Sequence, residues 1–546
     1  MAKKKYFPKK FESIREMMEM AVADAGQKIA YKYKAKDDEI VSVSFEAFYN
    51  MTQNLGAALT DMGFGYSHIA CVGENSYPWI VTYLTALQSG GVFVPVDKEL
   101  PTAEMLHVLT DSDSEILFYD KKREPWIMEH RASLPQIKYF IGFDRSVDEG
   151  EFLSFYGLVE KGKSCSKLDY KNLTHNYSEM KMLVYTSGTT GVAKGVMLTE
   201  NNLVASVYYG LQVSKVNEVG LSVLPYHHTY EAVCDILVSI HYHSTLCIND
   251  SIKNVLKNMT IFKPEYIYIV PAFAEAFYRG IKANIRKQGK EETFSKGIKL
   301  SNMLRKIGID RRRDLFKSVL DAFGGKLVRI VCGGAPIRPE LGKFFDDIGI
   351  VMTGGYGITE CSPLVCVNKE DKNNFSTAGF RLPCLEWRID SPAEDGIGEI
   401  CVKGDVVMKG YYKNPEKTAE ALQNGWFYTG DYGYITKDDQ LVITGRKKNI
   451  IVLANGKNIY PEEIEAYIQE ISYVEEVIVS GIKNEHGEET GLMAEIYSPE
   501  AKEKEDVLAD VKTALSELPN YKHVSKIVMR SEPFAKTTSN KIKRQY

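Results

Sequence analysis

The feature that most constrains this chain is a repeated order: helical stretch, glycine turn, short buried strand. Trp79–Leu87 reads as a helix, and GGVFVPVD after it reads as a glycine turn and a strand. The rhythm returns at 112–119, ending in EILFY. It returns again at IYIV (267–270), LVRIVC (327–332) and IVMT (350–353), each closing near Gly or Pro. Uninterrupted apolar runs this short are strands covered on both faces. Strands of that kind alternating with helices predict an α/β fold with helix-covered sheets. At the N-terminus, Ile14, Met17, Met18 and Ala21 fall at helical spacing in FESIREMMEMAVADAG. With 546 residues, more than one core is expected. After Arg446 come LANGKNIYPEEIEAYIQEI, a strand VEEVIVSGI and a helix DVLADVKTALSEL, so we expect a large domain over 1–445 and a small α+β domain over 446–546.

In open α/β sheets ligands collect at the carboxyl ends of strands, and the glycine-rich strings of this chain fall there. The richest is YTSGTTGVAKGVMLT (185–199), directly after the apolar KMLVY. Gly188 frees the backbone to bend and present N–H groups to an anion. Thr186, Ser187, Thr189 and Thr190 add hydroxyls and Lys194 adds a point charge. The string is built to hold phosphate oxygens, although alone it also fits a surface turn. It is not a Walker loop, for no Gly-x-x-x-x-Gly-Lys-Ser/Thr runs through it. It resembles the phosphate loop of the adenylate-forming superfamily: acyl-CoA synthetases, luciferases and the adenylation domains of peptide synthetases. Those enzymes join a carboxylic acid to AMP, release pyrophosphate, and mostly pass the acyl group to a thiol.

Further strings follow in the superfamily's order. LPYHHTYE (224–231) resembles its second signature and puts His228 at the histidine position, beside the acyl entrance. VCGGAP (331–336) and TGGYGITE (353–360) resemble the adenine and magnesium motifs. The resemblance implies a slot for the base between Gly333, Gly334 and Ala335 on one side and Tyr356, followed by Gly357, on the other. Thr359 and Glu360 then supply oxygens for Mg2+, a hard cation that takes one or two carboxylates plus substrate phosphates. GWFYTGDYG (425–433) resembles the ribose motif, with Asp431 as hydroxyl acceptor. TGRKKNIIVLANGKNIYPEEIE (444–465) resembles the hinge motif: Arg446 on the ribose, Lys448 at the pivot, Gly456 by the thiol tunnel. AKTTSNKIKRQY (535–546) resembles the C-terminal motif and gives Lys541 the adenylating role, with Ala535 and Asn540 standing for the motif's proline and glycine. In RLPC (381–384), Cys384 stands where the family has glycine. Each string has a plainer reading: a turn, a solvated run, a core histidine.

Composition excludes other classes. A net charge of −4 offers no field for nucleic acid. The nine cysteines form no Cys-x-x-Cys and join no histidine cluster, which predicts a reduced, cytoplasmic protein without structural zinc. The basic MAKKKYFPKKF has no apolar run behind it, so neither signal peptide nor anchor is expected.

The resemblance covers essentially the whole chain, and KPEYIYIVPAFAEAFY (263–278) with the helical insert after it looks most like long-chain fatty acid–CoA ligases. It implies fatty acid, ATP and CoA as substrates. Thr229 stands where amino-acid-activating relatives tend to carry aspartate. Val233, Ile236, Leu237 and Ile240 share one helix face, read equally as acyl-pocket wall or as core. Arg311–Arg313 reads first as a solvated run, or else as a contact for anionic lipid headgroups at a membrane surface or for CoA phosphates. Three alternatives stand beside this: transfer to an acyl-carrier protein, an aryl or other acid substrate, and a nucleotide-binding regulator without catalysis. Oligomeric state is not encoded in any of these strings.

Overall fold

A computed structural model of the chain describes residues 8–35, 38–186, 193–454, 457–485, 487–500, 502–536, 542 and 544. The described residues form two compact units: 1–386 with 403–425, and 387–402 with 426–546.

The first unit is built on two large sheets. In one, strands His68–Val72, Val92–Val96, Ser114–Tyr119, Tyr139–Gly142 and Phe152–Ser154 run parallel. Strand β1 (Met180–Thr186) joins parallel to Val92–Val96, and β2 (Lys194–Thr199) folds back antiparallel on it. Helix α1 (Glu200–Val213) leaves β2 through a capping box made by Thr199 and Asn202. The second sheet sets Val219–Ser222, Thr245–Ile248, Tyr266–Ile269, β3 (Arg329–Cys332) and β4 (Val351–Gly357) in parallel. Helices α2 (Pro271–Lys287) and α3 (Glu291–Lys306) stand between Tyr266–Ile269 and β3. The short β5 (Gly410–Tyr411) returns to pair with β2. The parallel, helix-covered design thus holds, with antiparallel strands at its edges. At the N-terminus, the four residues Ile14, Met17, Met18 and Ala21 are those that helix Ile14–Ala25 buries.

One helix departs from expectation. The stretch after His228 is not one α-helix but a turn at Thr229–Glu231, a π-helical segment Ala232–Leu237, and an α-helical end Val238–Tyr242. A π turn bonds i to i+5, which rotates the following side chains relative to an α-helix.

In the second unit, β6 (Trp426–Ile435) and β7 (Leu441–Arg446) form an antiparallel hairpin. Helix Pro461–Ile468 starts on its proline, the favoured position for it. It packs with strands Glu476–Lys483 and Glu489–Tyr497 and helix Lys504–Ala514 around Ile464, Ile468, Val477, Val511 and Ile527.

Candidate functional site

The first unit holds a cavity of about 90 Å³. Its lining is of two kinds. One is glycine and tyrosine: Gly333 and Gly334 after β3, and Gly355, Tyr356 and Gly357 of β4. These glycines are needed there. A Cβ on Gly333 would sit 3.2 Å from the Tyr230 ring, and one on Gly357 would lie 2.3 Å from the Pro363 carbonyl oxygen. Gly334 has φ +86°, a backbone that side chains disfavour. Ala335 follows, exposed to solvent and outside the cavity lining. The other is apolar, with Leu211 of α1, Val216, Val238, Leu364 and Val367, of which Leu364 and Val367 pair across the strands with Gly357 and Gly355.

The 229–242 segment contributes to the cavity through Tyr230, Cys234 and Val238. Tyr230 donates its hydroxyl to the Val331 carbonyl at 3.1 Å and packs edge-on against Tyr268. Val233, Ile236, Leu237 and Ile240 are fully buried and line no part of the cavity. Of the two readings of that stripe, core packing is the one observed, and the cavity wall is the neighbouring face.

Beneath this wall lie two carboxyls one turn apart. Glu231 and Asp235 are both fully buried. Tyr266 donates its hydroxyl to Asp235 at 3.2 Å. Ser222, the Leu224 backbone and Asp235 approach Glu231, yet neither Glu231 oxygen has a partner at hydrogen-bond geometry among the described residues. Burial pushes the Asp235 carboxyl up to about 7. Burial and then the charge of Asp235 hold Glu231 well above the usual carboxylate range.

His228 opens the segment in extended backbone. Its ring lies 4.2 Å from that of His227, whose Nε2 is 3.5 Å from Asp97. Burial, then His228 and Lys98, keep His227 neutral by lowering its pKa well below 6.5. Asn75 fixes the loop before them, donating to the Leu224 carbonyl and accepting from the Tyr226 amide.

At the phosphate-loop hairpin, Thr186 and Lys194 face each other as register partners of β1 and β2. Ser187, Gly188, Thr189 and Thr190 lie outside the described residues. Tyr411 of β5 ties the hairpin to the acidic motif. The Lys194 ammonium stands 5.4 Å over its ring, and its hydroxyl donates to Glu360 at 3.0 Å. Thr359 and Glu360 occupy the turn directly after β4. Among the described residues no three His, Cys, Asp or Glu form a metal cage. The lone carboxylate of Glu360 suits a cation held chiefly by phosphates and water.

In the second unit, Asp431 and Arg446 are register partners across β6 and β7, with Nε 2.6 Å from Oδ1. Lys448 sits in the following turn, where burial, then Arg446 and Arg544, lower its pKa. Arg544 of the C-terminal motif donates to the buried Glu465. Gly456, Asn540 and Lys541 lie outside the described residues.

Asp97, Asn75, His227, Tyr411 and the cavity face of Tyr230, Cys234 and Val238 escaped sequence reasoning. Only Asp97, closing the strand GGVFVPVD, carried a signal: a carboxylate at a strand's carboxyl end. Cys384 has an ordinary negative φ, so its position does not demand glycine. The run Arg311–Arg313 is solvated only at Arg311, which stays exposed beside Asp314. Arg312 bonds Asp310 and Asp346, and Arg313 donates to the carbonyls of Leu327, Gly349 and Gly325.

Comparison with known proteins agrees with the strings and the fold. The AMP-binding enzyme family matches residues 18–412, and the AMP-binding enzyme C-terminal domain matches 448–546. A long-chain-fatty-acid–CoA ligase of Mycobacterium bovis, FadD15, is 30% identical over 76% of this chain and 70% of its own length. A chloroplastic long-chain-fatty-acid–[acyl-carrier-protein] ligase of Arabidopsis thaliana, AEE15, is 28% identical over 76% of this chain and 67% of its own. Among solved structures, an anthranilate CoA ligase in complex with anthranoyl-AMP superposes with a TM-score of 0.79 at 18% identity, covering 97% of this chain and 96% of that one. A fatty acyl CoA synthetase of Mycobacterium tuberculosis superposes at 0.68 and 22% identity, covering 97% and 96%. With motifs, fold and both domain matches in agreement, the chain belongs to the AMP-binding enzyme family, whose members share the adenylate-forming fold.

Proposed function

We propose that this protein activates a medium- or long-chain fatty acid with ATP and passes the acyl group to CoA. The observation that carries this is the cavity lining: Gly333, Gly334 and Tyr356 beside the apolar Leu211, Val216, Val238, Leu364 and Val367. The base lies between Gly334 and Tyr356, the phosphates on the Thr186 and Lys194 hairpin. The acid's carboxylate sits beside His228, and its tail runs along Tyr230, Cys234 and Val238 toward α1. Asp431 and Arg446 take the ribose hydroxyls.

The carboxylate attacks the α-phosphorus in line, forming acyl-AMP and expelling pyrophosphate. Positioning and charge do this work rather than covalent catalysis. Lys541 supplies charge at the α-phosphate. Glu360, oriented by Tyr411, would hold magnesium, which when bound neutralises the departing pyrophosphate. In the second half-reaction a thiol attacks the acyl carbonyl and AMP leaves. One lysine cannot occupy the site in both steps, so the C-terminal domain (446–546) turns about Lys448, bringing Gly456 to the thiol. The Arabidopsis relative supports a second reading of the acceptor, an acyl-carrier protein, with the same first step.

The test is pyrophosphate release across a panel of carboxylic acids, with CoA present and absent. Turnover with fatty acids that needs CoA is expected. A preference for benzoates or amino acids would reject the acyl reading, and no release with any acid would reject adenylation.

A further inference from the structure

The insert between Tyr266–Ile269 and β3 carries a surface that the chemistry above does not use. Residues 279–317 contain thirteen Lys or Arg against four Asp or Glu, in a chain whose net charge is −4. Helix α3 within it has its faces the unusual way round. Its inner face is Phe294, edge-on to Phe316 and tilted against Phe344, then Gly297 and the fully buried Ser301. Its outer face runs Lys296, Lys299, Leu300, Met303, Lys306 and Ile307, a stripe at helical spacing. Met303 is 61% exposed and Ile307 70%, and Leu300, Ile309 and Leu315 are exposed beside them. Lys287, Lys290, Lys299 and Lys306 pair with no acid among the described residues, whereas Arg305, Arg312 and Arg313 are spent on internal contacts.

Apolar side chains gathered on a surface mark a contact. Lysines set among them can keep their ammonium groups in the headgroup layer while their stems lie along apolar surface. We infer that the outer face of α3, with Ile307, Ile309 and Leu315, docks this protein on an anionic phospholipid bilayer. Charge alone would equally fit an acidic protein. The exposed Leu, Met and Ile among the lysines are what favour the bilayer, because they gain by insertion below the headgroups. The inference is independent of the acyl substrate, since vesicle binding is measured without turnover.

The experiment is co-sedimentation of the full chain with vesicles of phosphatidylglycerol and phosphatidylcholine, and with phosphatidylcholine alone, at low and high salt. Two variants accompany it: Lys296→Glu/Lys299→Glu/Lys306→Glu and Met303→Ser/Ile307→Ser. We expect binding to the anionic vesicles only, weakened by salt. Each basic residue at such a surface is worth about 1 kcal/mol, about fivefold, so the triple reversal should cut partitioning at least about a hundredfold. The serine pair should also weaken it, at every salt concentration. Unfolding midpoints equal to wild type show that both variants fold, and Lys→Gln at the same three sites replaces the reversal should it melt early. Failure of the wild-type chain to bind anionic vesicles, or binding unchanged in the variants, overturns the inference. Loss with the lysine variant but none with the serine pair also overturns it, and points to an acidic protein instead.

Discussion

Two helical stretches of this chain carry apolar stripes at the same spacing and meet opposite surroundings. In 229–242, Val233, Ile236, Leu237 and Ile240 are sealed in the core. In α3, Leu300, Met303 and Ile307 face solvent. Periodicity says which residues share a face, not what the face meets. What decides is the other side of each helix. Behind α3 a cluster of Phe294, Phe316 and Phe344 already covers the inner face, so the outer stripe is surplus to folding. In 229–242 the opposite side borders a cavity and two buried carboxyls, so the apolar stripe must supply the packing.

The largest effect should come from trimming the two stripes alike. Leu237→Ala should cost about 2–5 kcal/mol, the usual range for a filled core position. Met303→Ala should stay within about 0.5 kcal/mol. Denaturant unfolding of both variants checks this, and equal costs would erase the contrast.

Next is the pair of carboxyls. A carboxyl whose pKa is raised on folding holds its proton more tightly in the folded chain. Its contribution to stability is therefore full below the unfolded value of about 4 and is lost as pH rises toward about 7, where Asp235 titrates. Asp235→Asn keeps the group that accepts from Tyr266 but has no proton to lose. The wild-type melting temperature should fall relative to this variant between pH 5 and 8, by a few degrees (on the order of 1–2 kcal/mol). Parallel curves would mean that Asp235 titrates normally.

The smallest effect is at the wall. Tyr230→Phe removes one hydrogen bond to the Val331 carbonyl. It should cost about 0.5–1.5 kcal/mol and leave the apolar lining of the cavity unchanged. A loss of the size seen for Leu237 would make Tyr230 part of the core rather than of the wall.

The comparison also explains what the sequence made legible. Local signals survived: the strands around the glycine strings, the face of helix Ile14–Ala25, and the proline start at Pro461, while Gly333, Gly334 and Tyr356 do line one cavity. What failed depended on tertiary contacts. Tyr230, Cys234 and Val238 border the cavity only through what packs against them across the fold, and no local string announces the π-helical turn at Ala232–Leu237. Tyr411 reaches Glu360 only because β5 returns to β2. Arg312 and Arg313 look solvated until their carboxylate and carbonyl partners are found across the fold.

The central claim is that the acyl chain occupies the cavity beside Cys234. The measurement is specificity constants for straight-chain acids of four to eighteen carbons, for wild type and for Cys234→Phe. Each buried methylene is worth about 0.8 kcal/mol, so the wild-type constants should climb by roughly fourfold per carbon until the cavity is full. The bulky ring should move the maximum to shorter acids while KM for ATP stays the same. A wild-type maximum at the shortest acids, or a profile that Cys234→Phe leaves in place, would contradict the account.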